Sequence, residues 1–285
     1  FIMNVSVIIP PLNADKTIGE LLDRLLSQTL KPSEIILIDS SSEDNTVFTA
    51  KKRNINVISI DRKSFNHGRT RNMAVEKTNS EILVFMTQDA LPYDRNMLSN
   101  LIRPLSETDI AASYGRHIPY PDASLTESFS RNFNYPETSF VKGFEDLNNM
   151  GIKTFFFSNS CSAIRRKEFI EAGKFPENVR ANEDMILAAN LLSKGYRIAY
   201  VPDAKIMHSH KYSLLSLFRR YYNIGSSLKK HKWILKHTKS EGEGLRLIRQ
   251  QVIFIAGKGK YYYLPYILAE IIAKYSGYRL GLLLG

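Results

Sequence analysis

Cysteine is nearly absent from this chain: Cys161 is the single one among 285 residues. One thiol excludes an internal disulfide framework and a cysteine-rich zinc site, and it fits a reducing compartment, with Cys161 itself read as a small buried hydrophobe. Long apolar runs are missing as well. The richest stretch, residues 261–275, is interrupted by Pro265, Glu270 and Lys274, so no helix is expected to span a membrane. The opening ten residues lack a basic leader and their apolar run stops at Pro10, so they read as a strand and not as a signal peptide. The protein is therefore expected to stay where it is made, with Phe1 and Ile2, ahead of the first methionine, read as an addition or a trimmed start. Neither G-x-G-x-x-G nor G-x-x-x-x-G-K-[ST] occurs, which argues against dinucleotide and P-loop chemistry. Acidic residues are scarce relative to basic ones, 28 against 39, and the formal charge of +11 points to an anionic partner: nucleic acid, phospholipid or a phosphorylated substrate.

What is present is an orderly alternation. With 44% hydrophobic residues, one sizeable core and an appendage are expected rather than two independent domains. Residues 5–9, 34–39, 57–60 and 82–86 are short apolar runs that read as strands, with helical periodicity over 15–28, 44–53 and 68–77 between them. Apolar strands each followed by a helix predict an α/β fold with a mostly parallel, Rossmann-like sheet covered by helices on both faces. Ligands in such sheets bind beyond the carboxyl ends of the strands, where Asn13, Asp39-Ser40-Ser41-Ser42 and Gln88-Asp89 fall. Residues 91–153 read as irregular structure with one or two helices, part of an acceptor site. A strand is expected over 154–164, then a helix over 181–194 with Ile186, Leu187, Asn190 and Leu191 at core spacing and Gly195 closing it, then a short strand over 197–201. Beyond Ser213 the composition turns to aromatic and basic helices. The expected division is thus a catalytic domain, 1–212, and a helical C-terminal extension, 213–285.

Several groups carry chemistry. Asp39 at a strand end can accept a hydrogen bond from the ring N–H of uracil or thymine, while Asp44-Asn45-Thr46 can cap the next helix. Phe65-Asn66-His67-Gly68-Arg69-Thr70-Arg71-Asn72 opens a helix with a glycine and two arginines, and helix N-termini and guanidinium groups both suit phosphate. Asp89, after a very apolar strand, can hold Mg²⁺ or Mn²⁺ against a diphosphate leaving group. His208 or His210 could add an imidazole, which suits Mn²⁺ better. Glu183-Asp184 lies in the first turn of a helix, where the helix dipole alone favours acids; functionally, one carboxylate would be a general base and the other its orienting partner. Basic and aromatic residues interleave at Phe218-Arg219-Arg220-Tyr221-Tyr222, at Lys229-Lys230-His231-Lys232-Trp233 and at Lys258-Gly259-Lys260-Tyr261-Tyr262-Tyr263. Such helices suit an anionic membrane interface or nucleic acid.

Together these residues resemble the family 2 glycosyltransferases of the GT-A (nucleotide-diphospho-sugar transferase) fold, from about Asn4 to His210. Pro10-Pro11-Leu12-Asn13 is similar to the family's P-x-x-N entry, and Ile38-Asp39-Ser40-Ser41-Ser42-Glu43-Asp44-Asn45-Thr46 to its VDDGSTDNT loop, with Ser40 in place of the second aspartate. Thr87-Gln88-Asp89-Ala90 stands where the D-x-D motif belongs, with Gln88 replacing its first carboxylate. Glu183-Asp184 matches the ED motif, and His208 the late histidine. Phe65 to Asn72 with the His208-Ser209-His210 pair resembles the rhamnosyltransferase branch. The resemblance implies an inverting transferase using dTDP-rhamnose, or alternatively a UDP-sugar, with a lipid-linked or cell-surface polysaccharide acceptor. Pro10, Asn13, Asp39, Ser41, His67, Arg71, Gln88 and Asp89 would form the donor site, with Asp39 on the pyrimidine and Arg71 on the base or diphosphate. Asp89 and His208, or His210 in its place, would hold Mn²⁺ or Mg²⁺, and Asp184 would be the base beside Glu183. The basic helices would then bind an anionic membrane surface and no nucleic acid, placing the enzyme in the cytoplasm on the inner membrane face. The competing reading is a catalytically silent nucleotide-sugar or nucleic-acid binding module.

Overall fold

The computed structural model describes residues 4–238 and 240–285; Phe1–Met3, where the opening strand was expected to begin, lie outside the described residues. The chain runs β1 (Val5–Ile9), α1 (Asp15–Leu26), β2 (Glu34–Asp39), α2 (Thr46–Lys51), β3 (Asn56–Ser59), α3 (His67–Val75), β4 (Ile82–Met86), β5 (Leu91–Pro92) and α4 (Met97–Ile102). It continues through β6 (Ile110–Ile118), α5 (Leu125–Asn134), β7 (Phe140–Lys142), α6 (Leu147–Met150), β8 (Cys161–Arg165), α7 (Arg166–Glu171), α8 (Glu183–Ser193) and β9 (Arg197–Met207). Four helices close it: α9 (Leu214–Lys230), α10 (Lys232–Lys236), α11 (Ser240–Gly257) and α12 (Leu264–Leu284).

One sheet of order β3-β2-β1-β4-β8-β6-β9-β5, with β7 beside β9, runs through the molecule. The parallel pairing predicted from the first ninety residues holds for β3-β2-β1-β4 and recurs between β6 and β9. The other pairings, β4 with β8, β8 with β6, and β5 and β7 with β9, are antiparallel, so the sheet is mixed. Strands β1 and β4 are buried along their whole length. On one face Val5, Val7 and Ile9 meet Ile18, Leu21, Leu22 and Leu25 of α1; on the other Ile8, Ile38 and Phe85 meet Phe169, Phe175 and Ile186. Two-sided burial is why these strands are continuous apolar runs without polar alternation.

Three expectations need correction. The strand expected over 154–164 starts only at Cys161, because residues 151–155 form a 3₁₀ turn pinned by the Lys142 ammonium, which donates to the carbonyls of Lys153 and Phe156. Residues 91–153 contain a nine-residue central strand, β6, which is built of small and polar residues such as Ala111, Ala112 and Ser113 and so carries no apolar run. Strand β9 reaches Met207, past Val201: a register shift between Gly115/Val201 and Arg116/Lys205 lets the strand run on through Pro202. Gly115 is required there, since a Cβ would lie 2.3 Å from the Ala204 carbonyl oxygen. Beyond this bulge β9 delivers His208, whose N–H donates to the Ile118 carbonyl at 2.9 Å. Helix α8 ends with Gly195 at φ +85°, although Asn190 serves it by donating to the Ala172 carbonyl and not by apolar packing.

Candidate active site

The loops after β1, β2 and β4 are tied together by side chains. Asn13, in the left-handed region at φ 48°, accepts from the Glu43 N–H at 2.9 Å, while its own N–H donates to Ser42 Oγ at 2.9 Å. Asp39 accepts from Ser42 N at 3.0 Å and from the Ser42 hydroxyl, and only 2% of it is exposed. Ser41, at φ 59°, donates to the Ile60 carbonyl, and the Ser40 N–H to that of Pro11, the residue next to Pro10. Asp44, expected as a helix cap, accepts from Asp15 N and from the Thr46 N–H and hydroxyl, so it fastens the starts of α1 and α2.

Gln88 has a role that its motif position does not reveal. Its Oε1 accepts from Leu12 N at 2.6 Å and its Nε2 donates to the Leu12 carbonyl at 3.1 Å. Only an amide offers both partners at one side-chain end; a carboxylate would face the Leu12 carbonyl with another acceptor.

Next to it, Asp89 Oδ1 lies 3.4 Å from His208 Nε2 and Asp89 Oδ2 lies 3.6 Å from His210 Nδ1. These three side chains can present ligand atoms within 4.8 Å of one another. Burial alone would raise the Asp89 pKa, but the hydrogen bond from His208, with a further one from Thr87, holds it well below the usual carboxylate range. Burial, helped by His208, pushes His210 down to about 4, leaving it neutral near pH 7. An ionised carboxylate with two imidazoles fits a divalent cation.

Glu183 and Asp184, neighbours in sequence, are in different surroundings. Glu183 Oε1 accepts from Arg71 Nη1 at 3.1 Å, an ion pair exposed by only 2% and 9%, and also from Asn159 Nδ2 at 3.4 Å. Asp184 accepts from Met185 N at 2.8 Å and Asn159 N at 3.4 Å and remains partly accessible. Burial, reinforced by the charge of Glu183, lifts its carboxyl up to about 7. Arg71 Nη1 also donates to the His67 carbonyl, so this end of the guanidinium is held between His67 and Glu183, while its buried Nε has no hydrogen-bond partner. The phosphate reading of the α3 N-terminus is corrected. Asn66 Oδ1 already accepts from Gly68 N and Arg69 N, and a Cβ at Gly68 would sit 2.2 Å from the Pro176 carbonyl oxygen, so the turn is packed shut. The His67 side chain itself is exposed, edge-on to Phe65 at 4.9 Å.

Residues that sequence reasoning missed surround the two histidines, His208 and His210. His117 from β6 contacts His208 (Nδ1 to Nδ1, 3.3 Å) and Arg131 Nη1 (3.0 Å), and stacks on Tyr135 at 4.0 Å. Burial, with the charge of Asp184 adding to it, raises the Tyr135 hydroxyl pKa to about 12. From α9, Arg220 donates to the Tyr212 hydroxyl at 3.3 Å, and the Tyr212 ring lies 5.1 Å from His210. None of these has a local sequence signal beyond charge or aromaticity.

A profile for "Glycosyl transferase family 2" matches residues 6–173, more than half of the chain. The chain belongs to glycosyl transferase family 2. The transferase is 40% identical over 282 residues to the O-antigen chain rhamnosyltransferase RfbN of Salmonella typhimurium, covering 98% of this chain and 90% of that protein. It is 37% identical to the O-antigen chain rhamnosyltransferase WbaN of Salmonella anatum, covering 97% and 88%. Among solved structures it resembles the mannosyltransferase PcManGT from Pyrobaculum calidifontis in complex with GDP-Man and Mn²⁺, with a TM-score of 0.65 at 18% identity over 97% of this chain and 87% of that one. S. aureus TarS 1–349 matches with a TM-score of 0.60 at 17% identity over 98% and 90%. These likenesses establish the GT-A fold of the enzyme. No helix among the described residues is long and apolar enough to cross a membrane.

Proposed function

We propose that the enzyme transfers L-rhamnose from dTDP-rhamnose, with inversion, to a hydroxyl of a lipid-linked saccharide at the inner face of the cell membrane. The observation that carries the chemistry is the division of labour between Glu183, spent on Arg71 and Asn159, and Asp184, partly accessible with a pKa of about 7. A base with that pKa is half ionised at neutral pH and can take the proton of an acceptor hydroxyl as it attacks the anomeric carbon from the face opposite the diphosphate. Asp89, His208 and His210 would hold Mn²⁺ in preference to Mg²⁺, given two imidazoles among the ligands. The bound ion would neutralise charge on the departing diphosphate. Arg220 stands near His210 and would supply the organic cation that the buried Arg71 does not. Asp39 retains lone pairs beyond those used by Ser42 and would accept the thymine ring N–H, with Pro10, Asn13, Ser41 and Gln88 shaping that pocket and His67 at its rim. The rhamnose donor is supported by the activity of the two Salmonella relatives and the near-complete coverage of both chains.

Residues 1–212 would form the catalytic unit and 213–285 a membrane-docking extension. Helix α12 exposes Leu268, Ile272, Tyr275 and Leu283, each more than half accessible and spaced along one side, and the exposed Lys258 and Lys260 precede it in sequence. A helix with that stripe and basic neighbours suits an anionic bilayer surface. The test of the donor is release of nucleoside diphosphate from a panel of dTDP- and UDP-sugars with a lipid-linked acceptor, with Mn²⁺ or EDTA. Turnover of dTDP-rhamnose only with metal supports the proposal; turnover of a UDP-sugar alone overturns the donor.

A further inference from the structure

The ring of His208 has two nitrogens, and only one can serve a cation beside Asp89. Its Nε2 faces Asp89 Oδ1, while its Nδ1 faces His117 Nδ1 at 3.3 Å. Two imidazole nitrogens at that distance need one donor and one acceptor. Arg131 decides which is which. Its Nη1 lies 3.0 Å from the same His117 Nδ1, and a guanidinium can only donate. His117 Nδ1 is therefore the acceptor, its proton sits on Nε2, and His208 must donate from Nδ1. With Nδ1 committed to donation, Nε2, which faces Asp89, is the one nitrogen of the ring that can offer a lone pair to a cation.

We propose that Arg131 and His117 are positioning residues that lock His208 in the tautomer able to bind a divalent cation, an inference that rests on the metal-site reading above. The supports of this relay are built in. Glu127 accepts from Arg131 Nε at 2.7 Å, pairs with Nη2 at 2.7 Å, and accepts from the His210 backbone N–H at 3.2 Å, so α5 holds the side chain of one histidine and the main chain of the other. Tyr135, stacked on His117 with 13° between the rings, fixes the plane in which Nδ1 points. The arrangement leaves His117 Nε2 buried with no partner, an unfavourable feature for a residue that only fills space. The opposite tautomer would give Nε2 no donor to bury but would set Nδ1–H against the guanidinium. Hydrogen-bond partners of metal-bound histidines commonly act in this way.

The test is Mn²⁺ binding to the full chain without donor, followed by electron paramagnetic resonance, together with ¹⁵N NMR of the histidine rings in the metal-free protein. His117→Phe removes the acceptor while keeping the stack, and should weaken Mn²⁺ binding about 10- to 100-fold; His117→Gln, whose Oε1 can accept from both neighbours, should stay within about threefold of wild type, far less than the loss of a supporting partner causes. The NMR should show His208 protonated on Nδ1 and His117 on Nε2. A folded His117→Phe protein with wild-type affinity, or a His208 that carries no proton on Nδ1, overturns the inference alone. A wild-type protein that binds no Mn²⁺ overturns the metal-site reading and this inference with it. Should His117→Phe not fold, the wild-type tautomers decide.

Discussion

Replacing Asp184 by asparagine should separate activity from stability in opposite directions. The change keeps an oxygen for the Met185 N–H but removes the ionisable group. Loss of a positioned general base should lower kcat by about 10²- to 10⁴-fold. The stability effect follows from linkage. Burial and the charge of Glu183 raise the folded pKa to about 7, above the ordinary carboxylate value, so folding favours the protonated form. Its contribution is full below about pH 4 and is lost as the pH rises through the folded pKa. A tenfold difference in proton affinity between the folded and unfolded chain is worth roughly 1.4 kcal/mol. Because the side chain keeps partial access to solvent, its ionisation should cost the folded protein about 1–3 kcal/mol at pH 8. Asparagine cannot ionise, so the variant should unfold about 3–8 °C higher than wild type at pH 8 and within about a degree of it at pH 4. The assay is paired thermal unfolding at the two pH values, alongside radiolabelled sugar transfer. A variant no more stable than wild type at pH 8, or one retaining more than about a tenth of kcat, would refute the reasoning.

Other substitutions follow from the same geometry. Gln88→Glu sets a carboxylate against the Leu12 carbonyl and should cost about 1–3 kcal/mol, loosening the donor loop and raising donor KM more than it lowers kcat, as steady-state kinetics would record. Gly281→Leu should destabilise the α9–α12 pair by about 1–3 kcal/mol or more, since even a Cβ there meets the Tyr222 carbonyl oxygen at 2.1 Å; differential scanning calorimetry measures it. The full chain should co-sediment with vesicles containing anionic lipid, and Leu268→Glu with Ile272→Glu should reduce binding by about tenfold or more, given roughly 0.8 kcal/mol per buried methylene. Equal sedimentation of both proteins would remove the membrane role of that stripe.

The legible parts of the fold were those in which one segment holds its own signal. Strands β1, β2 and β4 are apolar runs because both faces are covered, and their bounds match the predicted ones. Strand β6 was illegible because its buried positions are filled by Ala111, Ala112 and Ser113, the last satisfied by a bond to the Leu101 carbonyl. In the site, motif order revealed the family and brought Asp89, His208 and His210 together. It did not reveal that Arg71 lies buried against Glu183, because that pair spans 112 residues of sequence. Nor could it reveal Gln88 clasping Leu12, or His117 standing between Arg131 and His208. Those roles depend on which hydrogen-bond partner is left over after folding, and residue type alone does not carry that.

Donor activation at Asp89 and proton removal at Asp184 are, on this reading, separate functions of one cleft. The most direct measurement of that separation compares Mn²⁺-dependent dTDP-rhamnose binding and transfer in Asp89→Ala and Asp184→Asn. Asp89→Ala is expected to lose both the metal dependence of binding and transfer, whereas Asp184→Asn is expected to bind donor and Mn²⁺ as wild type does and to fail in transfer. Undiminished transfer by Asp184→Asn, or Mn²⁺-dependent binding that survives in Asp89→Ala, would contradict it.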